Sequence, residues 1–342
     1  MQDENAQLAN SLPYASSMGP LGYLLAAIGF AGLAVGLVIA VLGYREHDEA
    51  SVYTPIAELA FEDPVLRDCV REEARKRGYE TSGEVRTLSC INSEGPKVTS
   101  LVGIENLKNV AEVNLTHNQV SDTRPLDHLA RLETLNLDYN AISTPELDKL
   151  RATLRSLTLD HNGLQNLEWV RGLAHLETLS VGHNRISNIE PLAELGSLRI
   201  VDLNNNEIAD ITPLGQLSHV EVLDLTSNRI TDISPLAGSE SLLTLLLGSN
   251  QVVDVQPVET LPRLFELDLS YNPVVNIEAL GTVESLVRLN LSATSVTDFE
   301  PLERLGTPEI VDLTRTRLTC EQYRVLAKAL DAESLHHDLD CD

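Results

Sequence analysis

The side chains with the most chemistry in this sequence fall in register. His117, Tyr139, His161 and His183 recur every 22 residues, so a structure with that period brings one imidazole or phenol per turn to the same place. Tyr271 continues that column four turns on, Asp202, Asp224 and Asp268 form a second column with the same period, and Asp160 stands beside His161. Imidazole next to carboxylate is the material of a metal site or of acid–base catalysis. Neither is favoured. His161 and His183 with Asp160, on flat neighbouring strands, lack the enforced geometry and outer hydrogen bonds that a metal requires. No nucleophile adjoins the imidazoles, and the chain has neither a Gly-rich phosphate loop nor GxSxG, so an enzyme is not expected. Amphipathic rings give contact area at modest entropic cost, which makes the His and Tyr column a surface for a protein partner. The acidic column would steer a basic or Arg-bearing partner toward it. The plainer alternatives are a solvated face with incidental His, and carboxylates kept for solubility. No cofactor is implied.

Cysteine is confined to the two flanks of these columns. Cys69 and Cys90 precede them, Cys320 and Cys341 follow them, and each pair is separated by 21 positions. An even count at the ends of a domain suggests two disulfides closing its caps in an oxidising compartment. The alternative is four reduced thiols in a cytosolic domain; zinc is disfavoured because no CxxC occurs.

The columns exist because the sequence repeats. Asn118, Asn140, Asn162, Asn184, Asn206, Asn228, Asn250 and Asn272 are spaced by 22, and Thr294 and Thr316 continue the series to ten turns. Around Asn206 stand Val201, Leu203, Ile208, Ile211, Pro213 and Leu214, and the next turn repeats the pattern. Val201-Asp202-Leu203 alternates as a short strand does, with one residue outward between two inward. Buried, stacked Asn side chains can satisfy backbone groups that a tight turn would orphan. Asp or Asn four residues later, as at Asp210 and Asp232, suits a local side-chain turn, after which Pro sets an open or 3₁₀-like return. No turn buries its own aliphatics, so only stacking makes a core. Thr144-Pro145 carries a helix-start signature and Trp169 replaces Pro in the following turn, which predicts a different convex surface there.

On these residues the chain resembles the 22-residue class of leucine-rich repeat proteins and is similar to bacterial internalins. The resemblance implies an α/β solenoid, a right-handed horseshoe or arc whose parallel concave sheet binds partners. It also implies caps: Asp63-Pro64 opening a helix through Cys69, the Val102-Gly103-Ile104 entry, and an amphipathic segment from Cys320 through Leu326 and Leu330 to Cys341. With one residue after Cys341, an appended enzyme domain is not expected.

Leu21 to Gly43 are 23 positions without a charge, enough at about 1.5 Å per residue to span a hydrocarbon core of roughly 30 Å. A cleaved signal peptide fits less well, because Asp3 and Glu4 precede the run without Lys or Arg. Gly22, Gly29, Gly36 and Gly43 repeat every seven residues and Gly32 with Gly36 makes GxxxG, a bare face suited to close helix packing in a homodimer or complex. Arg45 alone gives charge almost no say in orientation, so the cysteines place the domain outside the cytoplasm and the N-terminus within.

The expected organisation is a tail over 1–20, a transmembrane helix over 21–43, a linker over 44–60, a cap over 61–106, ten repeats over 107–319 and a second cap over 320–342. Asp plus Glu number 51 against 25 Lys plus Arg, a net charge of −26 that excludes nucleic acid as the main partner. The expectation is a membrane-anchored binding module in a bacterial envelope, periplasmic or at the cell surface. The alternative is a structural subunit held in a larger membrane complex by its Gly-rich helix.

Overall fold

A computed structural model describes residues 53–330 and 332–341. The chain divides into two units, Met1–Val52 and Tyr53–Asp342, and everything below concerns the second. The expected transmembrane helix, its Gly22, Gly29, Gly32, Gly36 and Gly43, and the first part of the linker lie outside the described residues. Among the described residues, no helix is long and apolar enough to cross a membrane.

The 22-residue period becomes one parallel sheet of twelve strands in strictly sequential order, β1 to β12. β1 (Thr87–Ser89) belongs to the first cap, β2 (Glu112–Asn114) to β11 (Ile310–Asp312) are the repeats, and β12 (Leu335–His336) lies in the second cap. Every repeat strand is three residues long and pairs without slippage, as in Leu179↔Val201 and Val201↔Leu223. One inward aliphatic per strand is therefore stacked on the next, and Leu157, Leu179 and Val201 are all solvent-free. The strand begins one residue earlier than the alternation suggested, at Ile200 rather than Val201.

The repeated Asn fills the turn. Asn206 donates to the carbonyls of Leu203 and Asn204 in its own turn and of Val181 in the turn before, while its Oδ1 accepts from the amide of Ile186. One amide thus satisfies four backbone groups of two turns, which is why stacking and not local propensity holds the solenoid together. Four residues further on, Asp210 Oδ1 accepts from the amide of Thr212 and opens a 3₁₀ segment, Thr212–Gln216, with Pro213 inside its first turn. Asp122, Asn166, Asn188, Asp232, Asp254, Asn276 and Asp298 do the same.

The helix expected after Thr144-Pro145 is reduced to one 3₁₀ turn, Asp148–Leu150. Thr123 explains the difference: its hydroxyl bonds both the amide and the carbonyl of Glu146, holding that stretch non-helical. Trp169 sits half-buried in the next 3₁₀ turn and donates its indole N–H to Asn166 O.

The first cap starts earlier than expected. Residues 53–60 are part of it, since Ile56 and Leu59 are buried and the Ile56 amide donates to Glu80 O. Asp63 caps α1 (Pro64–Arg77), and Gly103, at φ 107°, passes so close to Ala60 O that a Cβ would lie 2.4 Å from it. The second cap is α2 (Cys320–Ala329), begun by a capping box of Thr319 and Gln322, with β12 behind it. Strand β12 was not visible in the sequence, because two residues carry no periodicity.

Both expected disulfides are present, Cys69–Cys90 and Cys320–Cys341, each closing a loop of 21-residue separation. Such a loop is worth about 3 kcal/mol through restriction of the unfolded chain. Reduction should therefore lower the midpoint of urea unfolding, and Cys320→Ala with Cys341→Ala should reproduce about half of the effect. An unchanged midpoint in reductant would show that the caps hold without their bridges.

Candidate binding face

Each strand sends its middle side chain into the core, so the flanking two positions and the residues after the strand form the outer face of the sheet. The position four before the repeated Asn ends the strand, and its side chain does a structural task. Asn114, Asn136, Asp202, Asp224, Asp268, Asn290 and Asp312 all accept, through Oδ1, the amide two residues on. Asn and Asp serve this turn equally well. The carboxylates at Asp202, Asp224 and Asp268 thus carry a charge the turn does not need. Asp202 Oδ1 accepts both the amide and the side-chain nitrogen of Asn204, and Asp224 Oδ1 accepts the amide of Thr226. Burial pushes both carboxyls above the usual range; the facing Asp224 adds to the rise at Asp202, and Asp268 to that at Asp224.

Asp160 is placed differently. Its Oδ1 accepts the hydroxyl of Ser180 at 2.6 Å and the amide of Gly182 at 2.7 Å, and its own amide donates to Asp138. Burial and the Asp138 carboxylate raise its pKa to about 6. Through Oδ1 it thus bonds the side chain and backbone of the next turn. Asp138, which the sequence reading passed over, is what links it to the turn before.

His117, Tyr139, His161 and His183 come together as a continuous stack. Ring centroids are 4.2, 4.0 and 3.8 Å apart along the series, with interplanar angles of 23°, 14° and 13°. These residues follow the strand, at the border of the sheet rather than in its middle. All ten residues of this column have φ between 50° and 61°, a left-handed conformation that favours Asn or Gly. Asn and His enter this region more readily than other side chains, so Asn205 and the three His conform, and at Tyr139 stacking worth about 0.5–1.5 kcal/mol per pair offsets the strain. The stacked rings of His161 and His183 do not converge. An ion bound along a nitrogen lone pair lies in the ring plane, and two near-parallel planes 3.8 Å apart share no point near both rings. Tyr271 belongs to the same column but not to the stack; its hydroxyl accepts from Arg315, whose guanidinium is 6.0 Å from the ring centroid.

Burial lowers the pKa of His161, and the neighbouring His183 and His117 lower it further. The folded value lies below the unfolded one of about 6.5, so the stack contributes stability above that pH and loses it as pH falls. In an NMR titration the His161 midpoint should fall below the free value and move back toward it in His183→Ala. A midpoint indifferent to His183 would mean that the rings are not stacked in solution.

The fold is that of a leucine-rich repeat domain, a class that typically serves protein–protein interaction. Family models agree: "Leucine Rich repeats (2 copies)" matches residues 196–238 and "Leucine rich repeat" matches residues 152–208. The structure is similar to an internalin, InlF, of Listeria monocytogenes, at 26% identity and a TM-score of 0.68, covering 86% of this chain and 95% of that one. Internalin C2 of the same organism is similar at 27% identity and a TM-score of 0.53, covering 73% of this chain and 100% of that one. A plant peptide hormone receptor, RGFR1 in complex with RGF2, shares the fold at 18% identity and a TM-score of 0.56, covering 74% of this chain and 47% of that one. No curated protein matches the chain.

Proposed function

We propose that the protein is a membrane-anchored binding module of a bacterial cell envelope that takes a basic protein partner on the concave face of its repeats. The observation that carries this reading is the carboxylate at Asp202, Asp224 and Asp268, where Asn would make the same turn. Holding these charges close together costs stability, and a cationic partner relieves that cost. The ring stack beside them supplies rigid contact area. The two disulfides support an oxidising location for the domain, and the apolar run 21–43 supports the anchor.

The test is a triple variant, Asp202→Asn, Asp224→Asn and Asp268→Asn, which keeps every turn and removes three charges. A partner captured from envelope extract by the wild-type chain should be lost from the variant and released by salt. A partner retained by the triple variant would refute the basic-partner reading. The alternative, a structural subunit packed through its Gly-rich helix, predicts instead that Gly29→Leu with Gly36→Leu dissociates a complex while the aspartate variants do not. Thiol labelling on intact cells tests the topology: label entering without reductant would sink the extracytoplasmic placement.

A further inference from the structure

A row of residues along the strand entries changes character midway through the solenoid. The row is continuous, because each member's amide donates to the carbonyl of the member one turn earlier, from Glu133 through Leu243, Phe265 and Val287 to Glu309. Its first five residues, Glu133, Arg155, Glu177, Arg199 and Glu221, alternate in charge, and Arg155–Glu177 and Arg199–Glu221 pair at 2.7 Å. The next three are Leu243, Phe265 and Val287. Phe265 is 40% exposed, Leu243 and Val287 are half-buried, and Ile310, one residue along on the next strand, is 36% exposed.

A lone exposed apolar side chain needs no explanation, but neighbours on successive turns, in a row otherwise filled by charges, form a patch. Acids border it, with Glu221 at one end, Glu309 at the other and Glu266 and Asp268 alongside. Arg199 already pairs with Glu221, and Arg288 lies 5.8 Å from the Phe265 ring centroid and 3.7 Å from Glu309, so both cations are engaged and Glu266 with Asp268 keeps the margin negative. The patch is therefore apolar along its length and negative along its margin.

We propose that the row Leu243–Phe265–Val287, continued by Ile310, docks an amphipathic helix of a partner protein with one apolar stripe and a Lys/Arg flank. Spacing supports a helix over a strand. Neighbouring rows are about 4.8 Å apart and a helix rises about 5.4 Å per turn, so a helix laid across the strands meets one row per turn through residues i, i+4 and i+7. Four rows correspond to roughly 15 residues of helix. The flank beside the stripe then faces the acidic margin, which fixes orientation and repels acidic helices. The row is distinct from the column of Asp202, Asp224 and Asp268 and shares only Asp268 at its margin, so Phe265→Ser tests this proposal and Asp202→Asn with Asp224→Asn tests the reading above.

The probe is a labelled peptide of roughly 18 residues with Leu at helical a/d spacing and Lys on one flank, titrated by fluorescence anisotropy against the full-length chain. A second peptide carries Glu in place of Lys. The Lys peptide should bind, the Glu peptide at least about tenfold more weakly, and Phe265→Ser should weaken the Lys peptide by about tenfold, the loss expected for one exposed-to-buried aromatic. Ile310→Ser, at the other end, should act in the same direction. Phe265 is surface-exposed, so an unchanged melting curve verifies that the variant is folded. The proposal is overturned if the two peptides bind alike, if Phe265→Ser and Ile310→Ser leave binding unchanged, or if the row proves to be occupied by a second copy of this chain, seen as a dimer that Phe265→Ser dissociates.

Discussion

Asn228→Ala should destabilise the repeat domain by about 4 kcal/mol, as much as a large cavity in its core would. The buried amide donates to Leu203 O at 3.0 Å, Leu225 O at 3.1 Å and Thr226 O at 3.3 Å, and accepts from the amide of Ile208 at 3.0 Å. Alanine leaves those groups without a partner in a place water does not reach, and each unsatisfied group costs about 1–3 kcal/mol. Asn228→Thr is the informative contrast. Thr294 and Thr316 already occupy this position and each donates its hydroxyl to the carbonyl three residues back, Leu291 O and Leu313 O. Threonine so keeps the bond within its turn and gives up those between turns, and should cost about half as much. Because each turn contacts only its neighbours, a break at Asn228 also uncouples the two halves, and the urea transition should broaden or divide. An alanine variant within about 1 kcal/mol of wild type would mean that the Asn ladder is ornamental.

The same residues explain what was legible. A 22-residue period needs only one-dimensional information, so the Asn ladder, the Asp and Asn turns after it and the sequential parallel sheet could all be read directly. Cap disulfides were readable because all four cysteines lie at the ends and none within the repeats. Contacts between turns were not. The ring stack could be foreseen as a column of His and Tyr, but not that a left-handed backbone would set the rings face to face. Thr123 prevents the helix that Thr144-Pro145 advertises, and that contact is 23 residues away in sequence. The type of Asp160 was visible, but its acceptance of Ser180 and Gly182 from the next turn was not. The apolar row at Leu243 could have been found by aligning the turns and comparing the residue seven before each Asn, since charge gives way to hydrocarbon at one step.

Asp63→Ala should cost about 3 kcal/mol at neutral pH and much less in acid. One oxygen of this buried carboxylate caps α1, accepting the amides of Val65 at 2.7 Å and Leu66 at 3.2 Å. The other accepts the amide and hydroxyl of Thr99, at 2.7 and 2.9 Å, and the amide of Ser100 at 3.2 Å. It thereby ties the capping helix to the segment that enters the repeats. Burial alone would raise its pKa, but the bonds from Thr99, Leu66 and Ser100 outweigh burial and hold it below the ordinary value. With the folded pKa below an unfolded value of about 3.9, the stabilisation is complete above that pH and is lost as pH falls through the folded value. Wild type and Asp63→Ala should thus differ most near pH 7 and converge toward about pH 2, in denaturant titrations at each pH. Asp63→Asn separates charge from shape. One amide oxygen can serve the helix or Thr99 but not both, and the amide nitrogen turned toward the other set meets donors, so Asn should recover no more than about half of the loss and should show no titration of its own. A gap between wild type and Asp63→Ala that is constant across pH would mean that the ionised carboxylate is not what joins the cap to the solenoid.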